Sequence, residues 1–176
     1  MMDDADNQNE PTAVSARFTG PSVRLMAVLF LGVLVSDQIT KQIMLDWIFA
    51  HPQRYQVFPF LNFVPVWNPG ISFGLFADGG VWVRAGLTVL AFLVSGWFFW
   101  HSRTLDRWQV IAGGLISGGA IGNAIDRLRF GKVVDFIDVF VQTWHWPAFN
   151  VADAAITIGA CFWIYGSVFG QEIGEK

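Results

Sequence analysis

The sequence Phe149-Asn-Val-Ala-Asp-Ala-Ala-Ile-Thr-Ile-Gly159 begins an apolar run that continues to Phe169. A run of about 20 residues is long enough for a membrane-spanning helix. Asn150 and Asp153 are three residues apart, so they share one face of that helix. One interpretation is local, because Asn150 is a good N-cap residue and Asp153 would lie at the positive end of the helix dipole. The other is functional, because carboxylates at membrane depth are rare and usually face a bundle interior or a wet cavity.

A second polar region precedes this helix and favours the functional interpretation. It comprises Gly118-Gly-Ala-Ile-Gly-Asn-Ala-Ile-Asp126-Arg127 and Gly131-Lys-Val-Val-Asp135-Phe136. Helical spacing places Asn123, Asp126 and Arg127 on one face, where Arg127 is expected to be the charge partner of Asp126. Two acidic clusters therefore lie at the ends of two apolar helices.

The composition is that of an integral membrane protein. Of the 176 residues, 53% are apolar and only 14% are charged, which is too apolar for an ordinary soluble domain of this size. The net charge of -3 and the lack of a dense Lys/Arg run argue against a nucleic-acid partner. The single cysteine, Cys161, and three widely spaced histidines form no metal-binding pattern, so we expect neither a metal nor another cofactor.

The hydropathy pattern predicts an all-α membrane protein with a small β element. Four spanning helices are expected, at about 24–45, 81–100, 108–127 and 150–169. Together they form a single domain over residues 21–170. Residues 1–20 are expected to be a disordered polar tail, and residues 171–176 a short polar end.

Residue spacing adds two details to these helices. Gly114, Gly118 and Gly122 recur every four residues along the third helix, a pattern that lets helix backbones approach closely in lipid. Asp37 and Lys41 are four residues apart in the first helix, in the order that favours an ion pair. Such a pair would make both charges tolerable near the membrane interface.

Residues 50–75 differ in character, because an apolar and aromatic sequence is interrupted by Pro52, Pro59 and Pro65. Proline at this frequency is incompatible with a spanning helix but fits short strands of an edge type. The segment is predicted to be a small sheet at the membrane surface, where aromatic residues are favourable. It ends in Asn68-Pro-Gly70, which is either a simple loop or a turn that presents polar backbone groups to a site.

In this four-helix arrangement, both acidic clusters and the Asn68 turn lie on the same side of the membrane. Two carboxyl groups there, one ionised and one protonated, are what is needed to activate water for attack on a peptide carbonyl. The pattern predicts a metal-independent aspartyl hydrolase whose substrate arrives from the lipid. Spacing alone leaves Asp126, Asp135 and Asp138 as partners of Asp153, and the distribution of Lys and Arg does not decide the orientation in the membrane.

Five sequence blocks together resemble the motifs of lipoprotein signal peptidase, also called signal peptidase II. The blocks are Asp37-Gln-Ile-Thr-Lys41, Asn68-Pro-Gly70, Gly118-Gly-Ala-Ile-Gly-Asn-Ala-Ile-Asp-Arg127, Val133-Val-Asp-Phe136 and Phe149-Asn-Val-Ala-Asp153. They occur in the order of the family and are specific in combination. Ile71 departs from the pattern, since a smaller residue is expected there.

The resemblance implies an aspartyl endopeptidase that removes the signal peptide of a prolipoprotein, cutting just before a diacylglyceryl-modified cysteine. It implies Asp135 and Asp153 as the catalytic pair. The further site residues are Asp37, Lys41, Asn68, Gly70, Asn123, Asp126, Arg127 and Asn150.

The implied fold has four transmembrane helices in the bacterial inner membrane, with both termini cytoplasmic and the active site near the periplasmic surface. A periplasmic β-cradle at about 50–75 and a short interfacial helix at about 134–146 complete it. The expected partners are the lipid-modified prolipoprotein and membrane lipids, and we expect a monomer.

Two other functions fit parts of the pattern. A small proton-coupled transporter or channel also contains intramembrane acids, but it would spread them along the depth of the bundle. A serine protease with Lys41 as its base would need a nearby serine, and Ser72 is the best-placed one in the sequence.

Overall fold

The computed structural model describes residues 20–70 and 80–169. The predicted N-terminal tail, the turn beyond Gly70 with Ile71 and Ser72, and the polar C-terminal end lie outside the described residues. Helices and strands within the described ranges are α1 (Pro21–Met44), β1 (Tyr55–Phe58), β2 (Leu61–Asn68), α2 (Gly80–His101), α3 (Arg107–Phe130), β3 (Val133–Val141), β4 (Trp144–His145) and α4 (Val151–Phe169). α1 continues into a π-helical turn, Leu45–Phe49.

The ends of α3 follow from its local sequence. Asp106 Oδ1 accepts the N–H of Gln109 at 2.9 Å, and the Gln109 side chain accepts the N–H of Asp106 at 3.2 Å. This reciprocal pair is a capping box and fixes the first turn. The helix ends at Gly131, whose φ of 68° is left-handed and therefore favours glycine. All four helices begin and end close to the predicted limits.

Among the described residues, three helical segments are long and apolar enough to cross a membrane: Ser22–Phe49, Gly80–His101 and Val151–Phe169. They leave many large apolar side chains exposed, among them Leu31, Leu93 and Ile164, as a lipid-facing surface would. α3 has 24 residues but is more polar, and it packs against the other three helices. That α3 is the fourth span stays a prediction.

The glycines of α3 lie where neighbouring helices approach it most closely. A Cβ atom at Gly118 would lie 2.7 Å from Phe30 O, and one at Gly114 would lie 2.9 Å from Met26 O. At such distances a side chain cannot be added unless a backbone moves. The predicted close packing is present, and it brings the polar ends of α1, α3 and α4 together.

The four strands form one antiparallel sheet in the order β1-β2-β3-β4. β2 pairs with β3 from Leu61 opposite Val139 to Asn68 opposite Val133, with a bulge between Phe63 and Val66. The β element predicted within residues 50–75 is therefore present as β1 and β2. The register places the end of β2 beside the start of β3.

The interfacial helix predicted at about 134–146 is wrong, because this segment forms β3 and β4. Its sequence, Val133-Val-Asp-Phe-Ile-Asp-Val-Phe-Val141, is rich in β-branched and aromatic residues, which favour a strand. β2 offers an edge whose N–H and C=O groups pair with β3. The sheet therefore has four strands, of which two come from residues 50–75 and two from the segment after α3.

A small apolar core joins the sheet to the end of α1. Met44 and Ile48 pack against Val134 and Phe136 of β3, and all four side chains are buried. Burying each of them contributes about 1.5–3 kcal/mol. Because Asp135 lies between Val134 and Phe136, this core also holds Asp135 beside the polar ends of the helices.

Candidate active site

Asp135 is buried on β3, with 1% of its surface exposed. Asn68 Nδ2 donates to its Oδ2 at 2.9 Å, and Asn150 Nδ2 donates to its Oδ1 at 2.7 Å. Burial, with a contribution from the nearby Asp153 carboxylate, raises the pKa of Asp135 to about 7, although the two amide donors act in the opposite direction. Asp135 can therefore hold a proton near neutral pH.

Asp153 lies in the first turn of α4 and belongs to the same group. Its N–H donates to Asn150 Oδ1 at 2.9 Å, so Asn150 caps the helix as the local interpretation predicts. Asp153 Oδ1 accepts from Asn123 Nδ2 at 2.8 Å, and its Oδ2 accepts from the N–H of Asn150 at 3.4 Å. Asn150 thus caps α4 with its side-chain oxygen and binds Asp135 with its side-chain nitrogen. A local role of Asn150 as a helix cap therefore does not exclude a functional role.

The structure distinguishes among the three acids that spacing allows as partners of Asp153. Asp135 shares Asn150 with Asp153, and the Asp153 charge affects its protonation. Asp126 and Asp138 have other partners, which are Lys41 and His145. The carboxyl pair at this site is therefore Asp135 with Asp153.

A buried charge cluster lies next to the pair. Lys41 Nζ is 2.9 Å from Asp37 Oδ2, from Asp126 Oδ2 and from Asn123 Oδ1. The predicted Asp37–Lys41 ion pair is present, within a larger group than the sequence indicates. An ammonium has three hydrogen-bond donors, and these three oxygens occupy them. This arrangement does not favour Lys41 as the base of a serine protease.

The expectation that Arg127 is the charge partner of Asp126 is wrong. Adjacent residues of a helix do not face each other, and Lys41 reaches Asp126 from α1 instead. Arg127 Nη2 donates to the Gly70 carbonyl at 2.9 Å, while the Gly70 N–H donates to Asn68 Oδ1 at 3.0 Å. Arg127 consequently holds the end of β2, from which Asn68 reaches Asp135.

A cavity of about 450 Å³ opens beside Asp153. Asn68, Asn123 and Arg127 line it together with Asp153 at the level of the carboxyl pair. Its remaining walls are mostly apolar and consist of Leu87, Leu90, Ala91, Val94, Ile116, Ala120, Val133, Ile156 and Thr157. A polar end with an apolar remainder suits a ligand of the same mixed character.

The structure adds site residues that the sequence did not indicate. Gln38 Nε2 donates to Asp37 Oδ2 at 3.1 Å and to Gly122 O at 3.2 Å, and it lies 3.4 Å from Asp126 Oδ1. Gln38 lies within the Asp37-to-Lys41 sequence block, and this position could have indicated it as a site residue. The apolar cavity wall of α2 gives no such signal, because cavity-facing and lipid-facing leucines look alike in a sequence.

The site contains two carboxyl groups, of which Asp153 lines the partly apolar cavity and Asp135 is buried behind its amide partners. Within residues 20–70 and 80–169, no group of three or more His, Cys, Asp or Glu side chains is arranged to hold a metal ion. Two neighbouring carboxyl groups do not both ionise readily, so one can act as a base while the other acts as an acid.

Comparisons with known proteins agree with the sequence motifs. The sequence profile of the family described as Signal peptidase (SPase) II matches residues 29–169. The lipoprotein signal peptidase of Polynucleobacter necessarius subsp. necessarius (strain STIR1) is 40% identical over 149 residues, which cover 83% of this chain and 90% of that relative. The lipoprotein signal peptidase of Cupriavidus pinatubonensis (strain JMP 134 / LMG 1197) is 37% identical over 163 residues, which cover 91% and 92%.

Two solved structures, each described as a bacterial membrane enzyme, have the same fold. The first has a TM-score of 0.71 and 27% identity, and the match covers 88% of this chain and 93% of that one. The second has a TM-score of 0.66 and 28% identity, covering 82% and 92%. From its motifs, its near full-length relatives and this fold, the chain is a multi-pass membrane protease that belongs to the signal peptidase II family.

Proposed function

We propose that the protein is an intramembrane aspartyl endopeptidase that removes the signal peptide of prolipoproteins, cutting N-terminal to a diacylglyceryl-modified cysteine. Family membership supports signal-peptide cleavage. The observation that carries the aspartyl mechanism is the position of Asn150, which donates from Nδ2 to Asp135 and from its N–H to Asp153. One residue thereby binds both carboxyl groups, and Asp153 lines the polar end of the cavity.

In the proposed mechanism Asp135 begins protonated and Asp153 begins ionised, which is consistent with the pKa of about 7 for Asp135. Asp153 removes a proton from water as the water oxygen attacks the scissile carbonyl carbon. Asp135 donates its proton to the carbonyl oxygen, so a tetrahedral diol forms. As the diol collapses, Asp153 passes its proton to the leaving nitrogen and Asp135 recovers a proton from the diol. The C–N bond breaks, and the pair returns to its starting state.

The cavity supports a substrate that is partly embedded in lipid. Its volume of about 450 Å³ lies in the range of pockets that enclose small ligands. One wall of the cavity is formed by α2, through Leu87, Leu90 and Val94. This wall follows a helix that is long and apolar enough to span the membrane. We assign this wall to the apolar part of the substrate, while the scissile peptide lies at the polar end.

The remaining site residues have supporting roles in this proposal. Asn68 and Asn150 orient Asp135, and Asn123 orients Asp153. Arg127 and Gly70 hold the end of β2. The buried charge cluster, which consists of Asp37, Lys41 and Asp126, joins α1 to α3.

For the membrane topology we propose that all four helices span the bacterial inner membrane. β1 and β2 follow α1, and β3 and β4 follow α3, so the whole sheet lies at one end of the helix bundle. Four spans then place both termini at the other end. We assign the sheet and the site to the periplasmic surface, both termini to the cytoplasm, and the active form to a monomer.

The substrate assignment is tested by incubating the purified protein in detergent with a diacylglyceryl-modified prolipoprotein and, in parallel, with its unlipidated form. Mass spectrometry of the products locates the cut. We expect one cut, immediately before the lipidated cysteine, and no cleavage of the unlipidated form. Equal cleavage of both forms, or a cut elsewhere, would contradict the proposed substrate.

A further inference from the structure

The Lys41 ammonium contacts three side-chain oxygens. One belongs to Asp37 on the same helix, α1, and the other two belong to Asp126 and Asn123 on α3. The Lys41 side chain is 2% exposed, and those of Asp37 and Asp126 are 0% and 1% exposed. A charge cluster buried to this degree is unfavourable unless its donors and acceptors are satisfied. Two well-packed apolar residues would often stabilise a fold equally well. The stability of the fold alone therefore does not require this charge cluster.

The ammonium of Lys41 determines which end of the Asn123 amide faces the carboxyl pair. Because an ammonium can only donate hydrogen bonds, Asn123 must turn its oxygen toward Lys41, at 2.9 Å. Its NH2 group then points to Asp153 Oδ1, at 2.8 Å. Asn150 Nδ2 also donates to the Asn123 oxygen, at 3.2 Å, and favours the same orientation.

The two carboxylates that bind Lys41 each hold the backbone immediately before one member of the pair. Asp37 Oδ1 accepts the N–H of Ala152 at 3.0 Å, one residue before Asp153. Asp126 Oδ2 accepts the N–H of Val134 at 3.1 Å, one residue before Asp135. Lys41, located between the two carboxylates, thus connects the backbone of α4 to that of β3.

From these contacts we propose that Lys41 is a positioning residue for the carboxyl pair: it fixes the Asn123 amide toward Asp153, and through Asp37 and Asp126 it fixes the backbone before each aspartate. This inference rests on the proposed aspartyl mechanism. It assigns Lys41 a role in the rate of the chemical step, in addition to neutralising buried charge.

The test compares Lys41→Met with Met26→Ala in the purified full-length protein. Met26 is also buried on α1, but it packs against Phe98 and Val110, so its truncation destabilises the helix bundle without changing charge and without touching the strand that carries Asp135. Both variants should have a lower Tm. Well below Tm, kcat of folded Lys41→Met should fall about 100-fold, the effect of misplacing a reacting group by about 1 Å. KM of Lys41→Met and kcat of Met26→Ala should change by less than about threefold.

Two further readouts separate positioning from a purely structural role. Because Lys41 acts in part through Asn123, the double variant Lys41→Met/Asn123→Ala should be slower than Asn123→Ala by a smaller factor than Lys41→Met is slower than the parent, whereas independent effects would multiply. The positive charge of Lys41 lowers the pKa of Asp135. The pH dependence of kcat should therefore move to higher pH in Lys41→Met and stay unchanged in Met26→Ala.

If Lys41→Met does not fold, Lys41→Met/Asp37→Asn replaces it, because this pair of changes keeps the net charge of the cluster. A folded Lys41 variant with the kcat of the parent, multiplicative effects in the cycle, or the failure of both variants to fold would each overturn the inference. The parent enzyme is the reference for the mechanism itself. If the parent does not cleave a lipidated prolipoprotein, the proposed function fails, whereas a cleaving parent with unaffected Lys41 variants refutes only the positioning role.

Discussion

Replacing Asp135 by Asn should change how the stability of the protein depends on pH. The pKa of Asp135 is about 7 in the native structure against an ordinary value of 3.8. Between these values the native state holds a proton that the unfolded state has released, so the free energy of unfolding falls as pH rises. A difference of one in pKa corresponds to about 1.36 kcal/mol, so the total loss is about 4 kcal/mol above pH 7. Asp135→Asn cannot ionise and should lack this loss.

The measurement is the free energy of unfolding in detergent at several pH values from 4 to 8, for the parent and for Asp135→Asn. Relative to the parent, the variant should gain up to about 4 kcal/mol across this range. Asn68→Ala is an informative companion, because it removes an amide donor that lowers the pKa of Asp135. In Asn68→Ala the pKa of Asp135 should be higher, so the free energy of unfolding should continue to fall at higher pH than in the parent. The same pH dependence in the parent and in Asp135→Asn would refute the reasoning.

Further predictions concern packing, the β2 end and the chemistry. Gly118→Ala should lower the free energy of unfolding by about 1–3 kcal/mol, because the added Cβ would clash with the α1 backbone. Gly96→Ala is the control and should have no such effect, because an added Cβ there meets nothing within 4 Å. Equal effects of the two substitutions in thermal unfolding would contradict this prediction. Arg127→Ala loses a charged hydrogen bond to Gly70, worth about 1.5–3 kcal/mol, and should lower kcat/KM about tenfold or more; unchanged kinetics would argue against the role of β2. The rate of cleavage should fall above about pH 7 as Asp135 loses its proton, and a rate that rises to pH 9 would exclude Asp135 as the acid. Chelators should not affect cleavage, and inhibition that added metal reverses would contradict the metal-free mechanism.

Local sequence was sufficient to predict the parts of the fold that depend on local interactions. The apolar run of α4 and its cap at Asn150 follow from hydropathy and from the hydrogen bonding of one side chain. The spacing of Gly114 and Gly118 predicts close helix packing because both residues lie on one helix face. The Asp37–Lys41 pair is likewise a contact within one helix.

Contacts between distant segments could not be predicted in this way. Residues 134–146 form strands because β2 supplies a pairing edge, and the resemblance alone implied a helix there. Asp126 binds Lys41 from another helix, whereas the sequence suggested its neighbour Arg127. Spacing also left the partner of Asp153 open among three acids. Only the fold, which pairs β3 with Phe149 just before α4, places Asp135 beside Asn150.

The central claim, that Asp135 and Asp153 together activate water, is tested most directly by single-turnover cleavage of a lipidated prolipoprotein. The parent, Asp135→Asn, Asp153→Asn and Ser72→Ala are compared in purified, folded form, with substrate binding measured separately. We predict that both Asn variants bind the substrate but cleave it at least about 10²–10⁴-fold more slowly, and that Ser72→Ala cleaves at the rate of the parent. Substantial cleavage by either Asn variant, or its loss in a folded Ser72→Ala, would contradict the account.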